Sequence, residues 1–167
     1  MDIGLALAPQ PVDGVAGEIL RKEPVSALLS ARHHLADTPR IPVTALRDET
    51  LLLFPRHLAP AYYDGIVAAF REAGFSPDIC AFDEPPVYAM LARLAGGREI
   101  GLGPASFAEH AAKTGTGIVF REIVDPPILA ELSMLWPAND LSPAIANVLA
   151  TARRSAEHNK WLHNPTT

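Results

Sequence analysis

The stretch that most constrains this chain is a short apolar run cut by proline and followed at once by a helical pattern. Leu51, Leu52, Leu53 and Phe54 are apolar without alternation, as in a strand covered on both faces. Pro55 stops the run, and Pro60 suits the first turn of a helix, where a missing N–H costs nothing. Tyr63, Ile66, Val67 and Phe70 recur at the spacing of a buried helical stripe. Gly74 suits the left-handed residue past a helix end, and Pro77 bars the helix from resuming. Strand, loop and helix in this order predict a βα unit.

Such a unit places a loop at a helix N-terminus, where the first N–H groups lack helical partners and the dipole favours negative charge. Arg56 and His57 add cationic or hydrogen-bonding groups, and Tyr62 adds an aromatic wall with a polar tip. The pattern admits a small anionic ligand at residues 56–62. On spacing alone an ordinary βα connection with solvated Arg and His is the commoner outcome of such a pattern.

Composition narrows the class. A chain of 167 residues, 49% of them hydrophobic, can bury one domain or two small lobes. A net charge of −5 without a Lys/Arg cluster argues against a nucleic-acid surface. The apolar stretches are too short for a membrane span. Met1 is followed at once by a strand-like pattern, so no signal peptide is expected. The one cysteine, Cys80, cannot pair internally and is expected as a buried thiol in a reducing, cytoplasmic setting. Sixteen prolines cut the chain into short elements.

In chain order, a strand is expected over 2–8, a loop over 11–17, and strands over 18–20 and 25–30. The charged Arg21, Lys22 and Glu23 mark a turn or bulge between the last two. A helical turn is expected over 43–46, a strand over 78–82, and a helix over 84–97 with Val87, Met90, Leu91 and Leu94 inward. A short strand over 100–103 runs into Pro104, followed by a helix over 105–113 and a glycine turn over 115–117. Strands over 118–123 and 128–136 follow, the second with Ala130, Leu132, Met134 and Trp136 on one side and Glu131 and Ser133 on the other. Ser142 and Pro143 cap a final helix with Ile145, Val148, Leu149 and Ala152 inward. Residues 158–167 have little pattern and are expected as a tail. Alternating strands and helices predict an α/β fold with a largely parallel sheet. A buried strand at residue 2 needs neighbours on both sides, a sign that further chain precedes it.

Other candidate chemistry is weaker. Residues 101–106 (GLGPAS) lie between strand and helix but form neither a nucleophile elbow nor a dinucleotide fingerprint. Their loop would face the same crevice as the first helix start, beyond the carboxyl ends of the strands. Six histidines are scattered without H-x-x-x-H spacing, and neither a metal nor another cofactor is expected. Asp83 and Glu84 suit a helix N-terminus better than an acid/base pair.

The succession of segments resembles the effector-binding domain of LysR-type transcriptional regulators over residues 2–155. The matching segments are MDIGLAL, EPVSALLSARHHLA, LRDETLLLFP, FREAGFSP, GLGPAS and IVDPP…LSMLW…SPAIANVL. The stretch LLLFPRHLAPAYY is most similar to the subgroup that senses aromatic-catabolism intermediates such as muconate.

The resemblance implies an α/β, two-lobed, periplasmic-binding-protein-like fold lacking part of its first lobe. Residues 1–30 and 121–157 would form the first lobe and crossing strands, residues 31–120 the second lobe, and residues 158–167 a flexible tail. It implies an effector in an interlobe cleft, contacted by Phe54, Pro55, Arg56, His57, Pro60, Ala61 and Tyr62 and by Gly103 and Pro104. The partners implied are a small carboxylate, a second copy of the chain, and DNA only through a helix-turn-helix domain absent from this sequence. No membrane is implied. Arg32 and His34 depart from the Gly and Pro usual in the family. Two alternatives are an acid-processing enzyme on the same fold, using His57 or Ser106, and an interaction module that forms mixed dimers with a regulator.

Overall fold

The structure is a computed structural model that describes residues 3–82, 87–107, 117–139 and 142–162. Expectations on Asp2, residues 83–86, the side chain of Val87, residues 108–116 and residues 163–167 lie outside the described residues. The chain divides into two compact units. The first comprises residues 1–23, 59–62 and 130–167, the second residues 24–58 and 63–129.

The first unit is built on β1 (Gly4–Leu7), the start of β2 (Val15–Ser30) and β8 (Leu129–Pro137). Strand β1 pairs antiparallel with β8, from Gly4 opposite Leu135 to Leu7 opposite Leu132, and β8 neighbours β2. Helix α3 (Pro143–His158) starts as expected. The Ser142 hydroxyl accepts the Ile145 N–H at 3.4 Å, and Pro143 takes the first turn. Its Ile145 and Leu149 pack with Leu20 and Met134 into one core cluster. Val148, expected inward, is exposed, and Ala156 is buried in its place on the inner face.

The course of β2 also departs from expectation. The loop over 11–17 ends early, because β2 begins at Val15. The turn at Arg21–Glu23 does not exist, and β2 runs unbroken through it. Its charges are met in place. Lys22 Nζ lies 2.6 Å from Glu131, and Arg21 lies 3.2 Å from Glu23 and stacks over the Trp161 ring. The Lys22 N–H donates to the Trp161 carbonyl at 2.9 Å. The chain after α3 is correspondingly held as far as Trp161, whose N–H bonds back to Ala156. Ser133 is also buried, against the expected alternation of β8.

The second unit holds β3 (Arg40–Pro42), β4 (Thr50–Leu53), β5 (Asp78–Ala81), β6 (Ile100–Pro104) and β7 (Ile118–Val124), with the end of β2. Strands β5, β4 and β6 are parallel neighbours. The end of β2 pairs antiparallel with both β6 and β7, and β3 pairs parallel with β7. Strand β3 was not expected, since Pro39 and Pro42 flank its short core. The 3₁₀ turn Val43–Leu46 falls where the sequence places it.

Leu51, Leu52 and Leu53 are fully buried, as a strand covered on both faces requires. Leu52 packs with Leu91 and Leu94 of α2 (Val87–Ala95) and with Leu28 and Ile118. Leu51 and Leu53 alternate to the other face. Helix α1 (Pro60–Glu72) ends in a left-handed turn at Gly74, φ +88°. The Phe75 N–H donates to Phe70 and the Gly74 N–H to Arg71, while the rings of Phe70 and Phe75 meet edge to face at 5.4 Å.

Candidate functional site

Within the second unit, the parallel pairing sets Leu51 opposite Ile100 and Leu52 opposite Gly101. The carboxyl ends of β4 and β6 therefore open along one edge, and each leads toward a helix start. Phe54 and Pro55 follow β4, a 3₁₀ turn spans Arg56–Leu58, and α1 begins at Pro60. Gly103 and Pro104 close β6, and residues 105–107 are helical. The antiparallel end of β2 sets Ser26 opposite Gly103 and Val25 opposite Pro104. Ser26 is a buried polar residue at this edge that periodicity could not single out.

Arg56 is not a lone cation. Its Nε and Nη2 donate to Asp64 at 2.7 and 2.6 Å, a fork-on-carboxylate pair at the surface. The Arg56 guanidinium holds the Asp64 carboxyl below its usual range, and Asp64 in turn raises Arg56. The pair lines a recess of about 610 Å³ with Tyr63, Arg71, Ser76 and Pro77. Of the expected ligand residues, Arg56 alone lines this recess. Asp64 carried no signal in the sequence, since an eight-residue separation across a loop and a helix turn has no fixed geometry. His57 is exposed in the 3₁₀ turn.

The two tyrosines exchange the places that the sequence suggests. Tyr62 is buried, at 4% exposure, and burial followed by the charge of Glu23 pushes its phenol upward. Tyr63 is half-buried and meets the Phe54 ring edge to face at 6.1 Å. The buried positions of α1 are Tyr62, Ile66, Ala69 and Phe70, one step round from the expected stripe.

The second unit also assembles groups that are distant in sequence. His33 Nε2 lies 3.3 Å and His34 Nε2 3.6 Å from the two oxygens of Glu49, and the imidazoles stack at 4.5 Å. Cys80 is half-buried, not enclosed, and Arg93 Nη2 donates to its sulfur at 3.0 Å. Arg93 also holds Glu99 at 2.6 Å.

Parallel strands that deliver loops to helix starts in the second unit, beside a first unit of antiparallel strands and a helix, define an α/β fold of the periplasmic-binding-protein type. The chain belongs to the LysR substrate binding domain family, which it matches over residues 1–157. It is 30% identical over 107 residues to the HTH-type transcriptional regulator IlvR of Caulobacter vibrioides, an overlap of 64% of this chain and 34% of that protein. The crystal structure of CbnR, a LysR family transcriptional regulator, superposes with a TM-score of 0.77 at 24% identity, covering 93% of this chain and 53% of that one. The BenM effector binding domain with its effector benzoate gives 0.75 at 21% identity, covering 99% and 73%. The chain spans between 34% and 49% of the length of the curated relatives it matches. The family and these relatives are transcriptional regulators, not enzymes. No helix among the described residues is long and apolar enough to cross a membrane.

Proposed function

We propose that this chain is the effector-sensing module of a cytoplasmic LysR-type regulator and that its effector is a small carboxylate, of the aromatic-derived kind to which LLLFPRHLAPAYY is similar. The observation that carries the proposal is the shared carboxyl edge of the parallel neighbours β4 and β6, with Phe54 and Pro55 directly after β4 and Gly103 and Pro104 ending β6. At the start of α1, after Pro60, the N–H groups of Ala61 and Tyr62 suit a carboxylate, and Arg56 and His57 lie in the turn before it. Benzoate as the effector of BenM supports a carboxylate of this class. In a complete regulator, effector binding biases the geometry of a helix-turn-helix domain on DNA. The module works as a homo-oligomer, a reading supported by exposed Leu5, Val12 and Val15. A clean monomer by light scattering at all concentrations would sink that part.

Thermal unfolding against benzoates, muconates, salicylates and amino acids tests the ligand. An acid at about 100 times its Kd adds roughly 2.7 kcal/mol of stability. Because Asp64 engages Arg56, Asp64→Asn should strengthen binding and Arg56→Ala should weaken it. A stabilising acid whose effect is indifferent to both variants removes Arg56 from the site. A cooperative transition that no acid shifts removes the carboxylate class.

A further inference from the structure

We propose that His33, His34 and Glu49 form a binding site for one divalent transition-metal ion of borderline softness, such as Zn(II) or Ni(II). Three ligand-type side chains converge here, their donor atoms within 4.8 Å of one another. Ligand atoms around a tetrahedral ion with bonds of about 2.0 Å stand about 3.3 Å apart. His33 and His34 already lie 3.3 and 3.6 Å from separate oxygens of Glu49. Two imidazoles and a single carboxylate suit zinc or nickel and are too poor in oxygen for magnesium or calcium.

Local structure holds two of the three in place. The turn after β2 is closed by the His33 N–H on Ser30 and the Ala36 N–H on His33. Glu49 sits at the end of the Val43–Leu46 turn, its N–H on Leu46, immediately before β4. The His33 and Glu49 side chains are 7% and 16% exposed, whereas that of His34 is 67% exposed. The ion would thus be seated on one side and open to water on the other, with His34 able to swing the last ångström.

The resting hydrogen bonds make the site diagnosable. The Leu35 N–H donates to His33 Nδ1 at 3.2 Å, so the neutral ring carries its proton on Nε2, facing Glu49. Ligation through Nε2 moves that proton to Nδ1 by way of solvent. The ring stays neutral, no proton is lost, and the Leu35 N–H turns to water.

The test uses the full chain freed of metal with a chelator. Zinc sulfate or nickel sulfate is added while thermal unfolding and the imidazole ¹⁵N shifts are followed, with magnesium sulfate as control. Expected are a one-to-one rise in Tm with zinc or nickel, none with magnesium, and transfer of the His33 proton from Nε2 to Nδ1. Affinity should fall about tenfold or more in His34→Ala, which alters an exposed side chain and leaves the fold intact, and likewise in Glu49→Gln. No saturable shift with either metal overturns the proposal. So does binding of undiminished affinity in His34→Ala, which would move the ion to other histidines, and so does a His33 ring that keeps its resting tautomer at saturation.

Discussion

Strands β1 and β4 are both short and apolar, Gly-Leu-Ala-Leu and Thr-Leu-Leu-Leu, yet they live in different surroundings. In β4 the three leucines are at most 1% exposed, between parallel neighbours on either side. In β1, Leu5 is 63% exposed, and among the described residues β8 is its strand partner. An apolar run therefore states that a strand is suited to being covered, not that it is covered. What differs is the number of elements that reach it, and these come from elsewhere in the chain.

The contrast is sharpest in core truncations. Leu94→Ala removes a fully buried side chain that packs on Leu52 and Leu28. It should cost about 2–5 kcal/mol in urea unfolding, while Leu5→Ala should stay within about 0.5 kcal/mol. Equal losses at the two positions would mean that β1 is covered in solution.

Glycine substitutions probe the same difference more finely. A Cβ at Gly101 would meet Leu94 Cδ1 at 2.8 Å and Leu28 Cβ at 3.4 Å, inside a filled core. A Cβ at Gly17 would meet Leu135 Cδ2, also at 2.8 Å, but Leu135 is half-buried and free to turn. Gly101→Ala should cost about 1–3 kcal/mol and Gly17→Ala clearly less, compared by the denaturation midpoint.

Smaller still is the helix cap of the first unit. Ser142→Ala strips the acceptor from the Ile145 N–H and should cost about 1 kcal/mol, with Ser142→Asp retaining most of it. The smallest effect is electrostatic. Arg153 holds the Glu18 carboxyl below its ordinary value of 4.5 by hydrogen bonding from the guanidinium. The folded carboxyl is thus harder to protonate than the unfolded one. Its contribution is present above the unfolded pKa and fades as pH falls through the folded one. Solvent screening keeps it small, so Arg153→Ala should lose a small amount of stability at neutral pH and none once Glu18 is protonated, which flattens the acid-side slope of urea midpoints against pH.

Much of the fold was legible because its signals are local. The βα unit from Thr50 to Gly74, the Val43–Leu46 turn and the Ser142–Pro143 cap each rest on residues within a few positions of one another. The expected site was legible only as a segment. Sequence placed Arg56 and Tyr62 at a helix start but could not see that Asp64 would occupy the guanidinium, or that Tyr62 and not Tyr63 would turn inward. A stripe of four apolar residues fixes a helical face to about one step, and Pro60 begins the helix without fixing its rotation.

The sequence by itself therefore determined the bounds of the Thr50–Gly74 unit, the Val43–Leu46 turn and the start of the last helix, because caps, prolines and periodic apolar residues act through short-range sterics and hydrogen bonds. Only the tertiary structure decided the unbroken course of β2 through Arg21, Lys22 and Glu23, the buried tyrosine, and the meeting of His33 and His34 with Glu49. Those depend on partners at Glu131, Trp161 and the turn before β4, brought near by burial of apolar surface elsewhere, and no local pattern encodes which distant group will neutralise a charge.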